Sequence, residues 1–217
     1  MKFKETDIIN IVIAGTAGQG VITLKRLIEF ASQKAGVERN FGAENHGLAQ
    51  REGAITSHTR YQKQTFKDER KNLNSPLICY GDANLYICLE PAEALRRGIY
   101  ASDKTSFVLN ERDIPGVMIT ANLEQYPSLE QIKNILYNYS DKVYSINATE
   151  LCLKHFHSNQ QVNIFMLGFA IPTRNIPFIE IEHYEEVIKE WFRDPETNIR
   201  ALHLGINEGR NILVNKN

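Results

Sequence analysis

The chain has 217 residues, 42% hydrophobic and 24% charged, enough apolar material for a core that folds without metal or disulfide staples. A formal net charge of -1 supplies no overall field for nucleic acid or an anionic membrane surface, so neither is an expected partner and any basic site has to be local. The three cysteines, Cys79, Cys88 and Cys152, lie in or beside apolar segments and form no C-x-x-C pair. They read as buried thiols of a reducing compartment, too few for a four-thiolate iron–sulfur cluster or a cysteine-built zinc site, so no metal site is expected.

The opening MKFKETDIIN mixes charges into its first residues, and the apolar run after it falls far short of the ~20 residues that cross a bilayer. A soluble cytoplasmic protein is the expectation. Ile8 to Ala14 is a β-branched run suited to a strand buried on both faces. The turn Gly15-Thr16-Ala17-Gly18-Gln19-Gly20 follows, and then Val21, Leu24, Leu27, Ile28, Ala31 and Ala35 recur at helical spacing, with Gly36 placed to end that helix in a left-handed conformation. A short strand is expected over Val37 to Phe41, and a partly exposed one over Ala54 to Tyr61. Lys63 to Asn74 reads as a solvated loop. Leu85 to Leu89 is a further buried strand, after which Glu90-Pro91 opens a helix with proline in its first turn. Strands are expected over Ser106 to Asn110 and Val117 to Thr120. Ser128 with Gln131 forms a capping box for a helix to about Tyr139, and Val143 to Ile146 returns as a strand. Thereafter the chain is helical, around 149–156, 162–170, 181–192 and 198–208. The alternation predicts one α/β domain over 1–217, three-layered and Rossmann-like, with a mostly parallel sheet, helices on both faces and a helical C-terminal part. Ligands of such sheets collect at the carboxyl ends of the strands, where the glycine turn lies.

The turn spaces its glycines as G-x-x-G-x-G, not the G-x-G-x-x-G of dinucleotide sites, and no Gly-Lys-Ser/Thr of a P-loop follows. Glu38 is the only acidic residue near the position of a ribose partner. Two readings stay open on the residues alone. The amides of Gly18, Gln19 and Gly20 can bind an anion at the helix N-terminus, or the glycines only let the backbone pass close to a neighbour.

The turn GTAGQGV, then ENHGLAQREGAITSHTR, then LEPAEALR resembles the gamma-type subunits of 2-oxoacid:ferredoxin oxidoreductases, the small subunits of indolepyruvate oxidoreductases in particular. The residues that carry the resemblance are Gly15, Gly18, Gln19, Gly20 and Val21; Glu44, His46, Gly47, Ala49, Gln50, Arg51 and Gly53; Ser57, His58 and Arg60; and Glu90, Pro91, Glu93, Ala94, Leu95 and Arg96. VNIFMLGFA in the helical half is similar as well. The resemblance implies a subunit of a heteromeric complex, inactive alone, that oxidatively decarboxylates a 2-oxoacid with coenzyme A to acyl-CoA, CO2 and reduced ferredoxin. Thiamine diphosphate and iron–sulfur clusters are then expected on the large partner subunit, with ferredoxin, the 2-oxoacid and coenzyme A as further partners; self-association is left open. It implies a cofactor-binding set of Gly15, Gly18, Gln19, Gly20, His46, Gln50, Arg51, Ser57 and Arg60: amides cradling a phosphate, arginines adding charge, and His46 and His58 bonding a ligand or ordering the loop. No catalytic residue is identified.

Two departures from the family pattern raise an alternative, a non-catalytic binding protein that keeps the fold and has lost the phosphate site. Ala17 stands for a glycine, harmless only if its φ is negative. Glu52 stands for a glycine beside Arg51, and like charges at about 4 Å cost on the order of 4 kcal/mol at an effective dielectric near 20. A free-standing nicotinamide enzyme is disfavoured by the glycine spacing.

Overall fold

The structure, a computed structural model, describes residues 3–46, 53–113 and 126–214. Strand β1 (Ile8–Thr16) runs through the middle of a six-stranded sheet in the order β2-β3-β1-β4-β5-β6. Its partners β4 (Leu85–Cys88), β5 (Ser106–Asn110) and β6 (Val143–Ile146) run parallel to it. On the other side β3 (Ala54–Gln62) is antiparallel to both β1 and the edge strand β2 (Arg39–His46). The strand expected over 117–120 lies outside the described residues.

Helix α1 (Val21–Lys34) buries Val21, Leu24, Leu27, Ile28 and Ala31. It ends as its glycine requires: Gly36 has φ +70°, its N–H donates to the Gln33 carbonyl, and the Val37 N–H donates back to Ser32. Helices α2 (Pro91–Arg96) and α3 (Leu129–Tyr137) cover the opposite face of the sheet. The Ser128–Gln131 capping box that opens α3 is formed in both directions.

Alternation along β1 splits the core in two. Ile9, Ile11 and Ile13 face α1 and the C-terminal helices α4 (Ala148–Phe156), α5 (Val162–Ala170), α6 (Ile181–Trp191) and α7 (Pro195–Val214). Val12 and Ala14 face α2 and α3, with Tyr86, Phe107, Ile132 and Leu136. Every residue of α5 is buried, and α5 crosses α7 at backbone contact: a Cβ on Gly168 would collide with the Leu202 carbonyl, and one on Gly205 with that of Phe165. Each large side chain sealed this way contributes about 1.5–3 kcal/mol, so the helical half is a structural partner of the sheet.

Two expectations are corrected here. β3 is not partly exposed, because insertion between β1 and β2 with layers on both faces buries all but its first two residues. Cys79 is exposed, while Cys88 and Cys152 are buried. Cys79 follows Ile78, whose side chain takes the buried place in this loop and leaves Cys79 at the surface.

Candidate functional site

Where β1 ends, the chain reverses into α1 through the glycine turn, and each glycine has its own reason. A Cβ on Gly15 would come within 2.7 Å of the Gln19 amide; Gly18 has φ +87° with open space around it; Gly20 has φ +80° and presses on the Asn163 side chain. Ala17 is not among the residues of positive φ, so its replacement of a glycine adds no backbone strain. The Gln19 side chain braces the turn, accepting from the Thr16 N–H at 2.7 Å and donating to the Leu89 carbonyl at 3.0 Å. Asn110, at the end of β5, donates to the same carbonyl at 3.2 Å and to Thr149 Oγ1 at 3.0 Å. Asn163 at the start of α5 donates to the Gly20 carbonyl at 3.3 Å. Three strand ends and the starts of α1, α4 and α5 are thereby fixed around one opening.

That opening is a cleft of about 490 Å3 lined by Gly18, Gln19, Gly20 and Thr23 from the turn and α1, by Asn110 and Arg112, by Thr149, by 159–163, and by Phe192, Arg193, Asp194 and Asn198. Its wall mixes polar and apolar surface in about equal parts, with Val162 and Phe192 the large apolar side chains. The helices that begin at it differ. Asn147 caps α4 by accepting from the Glu150 N–H, and the Asp194 carboxylate accepts from Thr197 N–H in the first turn of α7 at 3.1 Å. The Thr197 hydroxyl, and then this N–H, hold the Asp194 carboxyl below the usual carboxylate range. Neither α1 nor α5 has a side-chain cap: their N-cap residues are Gly20 and Gln161, both in the cleft wall. Gln161 is only 7% exposed, and its side-chain oxygen is buried without a hydrogen-bond partner. Arg112 and Arg193 are exposed and make no ion pair among the described residues. In the first turn of α5 the Ile164 N–H donates to Asn163 Oδ1 at 2.9 Å, whereas the Gly18 and Gly20 amides find no acceptor among the described residues.

The residues singled out in the sequence divide sharply. Gly15, Gly18, Gln19 and Gly20 form the turn, and Gly18, Gln19 and Gly20 line the cleft. His46, the last residue of β2, lies in the same backbone row as Ile55 and Gly15. Gln50, Arg51 and Glu52 lie outside the described residues. Ser57 is buried under α1 beside Ile13, its Oγ without a partner. Arg60 is not at the turn. It pairs with Asn10, and five residues of strand at roughly 3.4 Å each put about 17 Å between that row and Gly15.

Arg60 is committed there, with Nε donating to Asn10 Oδ1 at 2.8 Å and Nη1 to the carbonyls of Ser75 and Leu77 at 2.9 and 2.7 Å. Burial pulls its pKa below the usual guanidinium value, with Asp82 opposing. Two residues away His58 is 2% exposed, accepts from the Ile78 N–H on Nδ1 at 3.1 Å, and meets the Tyr100 ring edge-on. Burial, helped by Arg60 and Arg97, pushes its pKa down to about 4, so the ring is neutral at pH 7. Both side chains hold the loop over 75–82 by its backbone. Glu38 likewise serves structure, accepting from Thr65 N–H and Oγ1–H. Asn110, Arg112, Gln161 and Arg193 carry the cleft but belong to no sequence motif.

The sequence profile described as pyruvate ferredoxin/flavodoxin oxidoreductase matches residues 10–208. The chain belongs to this family. It is 35% identical over 202 residues to the indolepyruvate oxidoreductase subunit IorB of Archaeoglobus fulgidus, covering 92% of this chain and 94% of that protein. Among solved structures it resembles the pyruvate oxidoreductase subunit PORC of Thermotoga maritima, with a TM-score of 0.62 at 17% identity over 92% of this chain and 96% of that one. It also resembles the 2-oxoglutarate:ferredoxin oxidoreductase of Magnetococcus marinus, solved with 2-oxoglutarate, coenzyme A and succinyl-CoA, with a TM-score of 0.66 at 18% identity. There the match covers 94% of this chain but 31% of the other, so the same fold is one part of a longer chain. The α/β architecture read from the sequence is that of the small subunits of this oxidoreductase class.

Proposed function

We propose that this chain is the small subunit of an indolepyruvate or other arylpyruvate:ferredoxin oxidoreductase, and that its cleft serves the coenzyme A side of the reaction. In that reaction the C1–C2 bond of the 2-oxoacid breaks to release CO2, a bond forms between the acyl carbon and the coenzyme A sulfur, and two electrons leave to ferredoxin. Thiamine diphosphate, when bound in the complex, supplies the stabilised carbanion, and iron–sulfur clusters the path for the electrons. We assign both to the large subunit. The thiols here are dispersed, with Cys88 on the α2–α3 side of the sheet, Cys152 on the other and Cys79 in a loop. Among the described residues no three His, Cys, Asp or Glu side chains gather as a metal site, and no helix is long and apolar enough to cross a membrane.

The observation that carries the reading is the glycine turn opening, with the Gly18 and Gly20 amides unmet among the described residues, onto a cleft at the carboxyl end of the sheet. This chain's own part is binding and orientation: Gly18 and Gly20 present backbone, Gln19 fixes the turn, and Gly15 lets it close. Arg51 and His46 are proposed, on the resemblance to the family alone, to contribute to the site; Ser57 supports the sheet.

Native purification tests the proposal. The chain should co-purify with a brown, cluster-bearing large subunit, and the pair should reduce ferredoxin with indolepyruvate only when coenzyme A is present. A colourless protein without such a partner, or ferredoxin reduction indifferent to coenzyme A, would sink it.

A further inference from the structure

We propose that a second copy of this chain docks, across a two-fold axis, on the apolar face made by the connections that enter β4, β5 and β6, with Leu77 and Tyr80 at its centre. The inference goes beyond the functional reading and does not rest on it.

The face is assembled from distant pieces of sequence at the amino end of the sheet. Residues 75–83 lead into β4, 98–101 lie between α2 and β5, and Tyr139 precedes β6. Backbone bonds join the first two: the Gly81 N–H donates to the Ile99 carbonyl and the Ala83 N–H to that of Tyr100, both at 2.9 Å. The Tyr80 and Tyr100 rings lie 5.8 Å apart. Tyr139 packs over Gly98, where a Cβ would come within 3.2 Å of its hydroxyl. From this assembly Leu77, Tyr80, Ile99 and Tyr139 present 57, 77, 49 and 39% of their surface to solvent.

This is not ordinary loop surface. Residues 63–71 (KQTFKDERK) carry six charged side chains in nine positions, whereas 74–81 (NSPLICYG) carry none. Loss of charge together with exposed tyrosine is the composition of an interface core. The loop is also held stiff. Arg60 donates to the Ser75 and Leu77 carbonyls, His58 accepts from the Ile78 N–H, and Asn10 donates to the Asp82 carbonyl. Two buried side chains of β3 are thus spent on fixing a loop that turns Leu77, Cys79 and Tyr80 outward. A patch fixed in advance loses little conformational freedom on docking.

Position, charge and area choose the occupant. The face lies at the end of the sheet opposite the cleft, so a two-fold axis through it leaves both clefts open and pointing away from each other. An uncharged loop meets its own copy without like-charge repulsion. At about 200 Å2 for a large side chain, the four exposed residues offer on the order of 450 Å2 per copy, so pairing two copies buries roughly 900 Å2. Pro76, also exposed, and the loop backbone carry this to the ~1,000 Å2 that a specific interface needs.

Sedimentation velocity of the full chain tests the docking. The wild type should sediment as a dimer at micromolar concentration, and Leu77→Asp/Tyr80→Asp should raise the dissociation constant about a hundredfold or more. Both side chains are exposed, so the variant should keep the wild-type circular dichroism. Cys79, the exposed thiol of the three, gives a readout that needs no substitution: iodoacetamide should alkylate it more slowly as chain concentration rises through the dimerisation range. A wild-type chain that stays monomeric, a variant as dimeric as the wild type, or alkylation indifferent to chain concentration would overturn the proposal. Alkylation slowed only in the complex with the large subunit would overturn it too, and would assign the face to that subunit.

Discussion

The two ends of the sheet use the same residue types to opposite purposes. At the amino end of β1, Arg60, Asn10 and Asp82 form a closed polar network: Arg60 donates to Asn10, and Asn10 donates to the Asp82 carbonyl and carboxylate at 2.8 and 2.9 Å. At the carboxyl end, Arg112 and Arg193 stand in the cleft wall with no ion partner among the described residues, beside two uncapped helix starts. A buried arginine whose donors are spent on carbonyls contributes to folding, whereas an exposed one beside unmet amides is ready for a ligand. Residue identity does not distinguish them; the state of their hydrogen bonds does.

The sharpest way to break this contrast is Arg60→Ala. It leaves Asn10 and the carbonyls of Ser75 and Leu77 without their donor in a buried place, and should cost about 3 kcal/mol, a fall in melting temperature of roughly 6–12 °C for a chain of this size. The surviving folded enzyme should keep its KM for coenzyme A. A raised KM, with stability intact, would place Arg60 at the ligand instead.

Gly20→Ala attacks the other end. The left-handed backbone and the collision with Asn163 should together cost about 2 kcal/mol of stability, and here KM for coenzyme A should rise as well. Steady-state kinetics on the complex beside a thermal melt checks both. A variant that loses stability alone would leave the turn a purely structural device.

A pH-dependent effect concerns His58. Its folded pKa, about 4, lies below the unfolded value near 6.5, so between those limits the unfolded chain binds more protons than the folded one. Its contribution to stability is therefore complete above pH 6.5 and is lost as pH falls toward 4. Chemical denaturation across that window should show the loss, and His58→Gln should flatten the slope. An unchanged slope would mean that His58 does not titrate as its burial requires.

Much of the fold was legible because the signals were local. The apolar run before Gly15, the helical spacing after Gly20 and the Ser128–Gln131 box each specify their element from a few neighbouring residues. β3 was harder to read: Thr56, Ser57, His58 and Thr59 look like a half-solvated strand, yet all four are buried between two other strands with layers on both faces. Of the cleft wall, the residues singled out in the sequence supply only Gly18, Gln19 and Gly20. Arg60 shares a motif with the turn but sits at the wrong end, since position along an antiparallel strand, not proximity in a motif, decides which rim a side chain serves. Arg112 and Arg193 are isolated in sequence, and only the helical second half folding back on the sheet unites them.

The contrast between the two rims is tested most directly by hydrogen exchange of the full chain with and without coenzyme A. Amides in 16–24 and 159–164 should gain protection on binding, while those in 56–62 and 75–80 exchange as before. Protection confined to the Arg60 end, or no change at the glycine turn at a saturating concentration, would contradict the account.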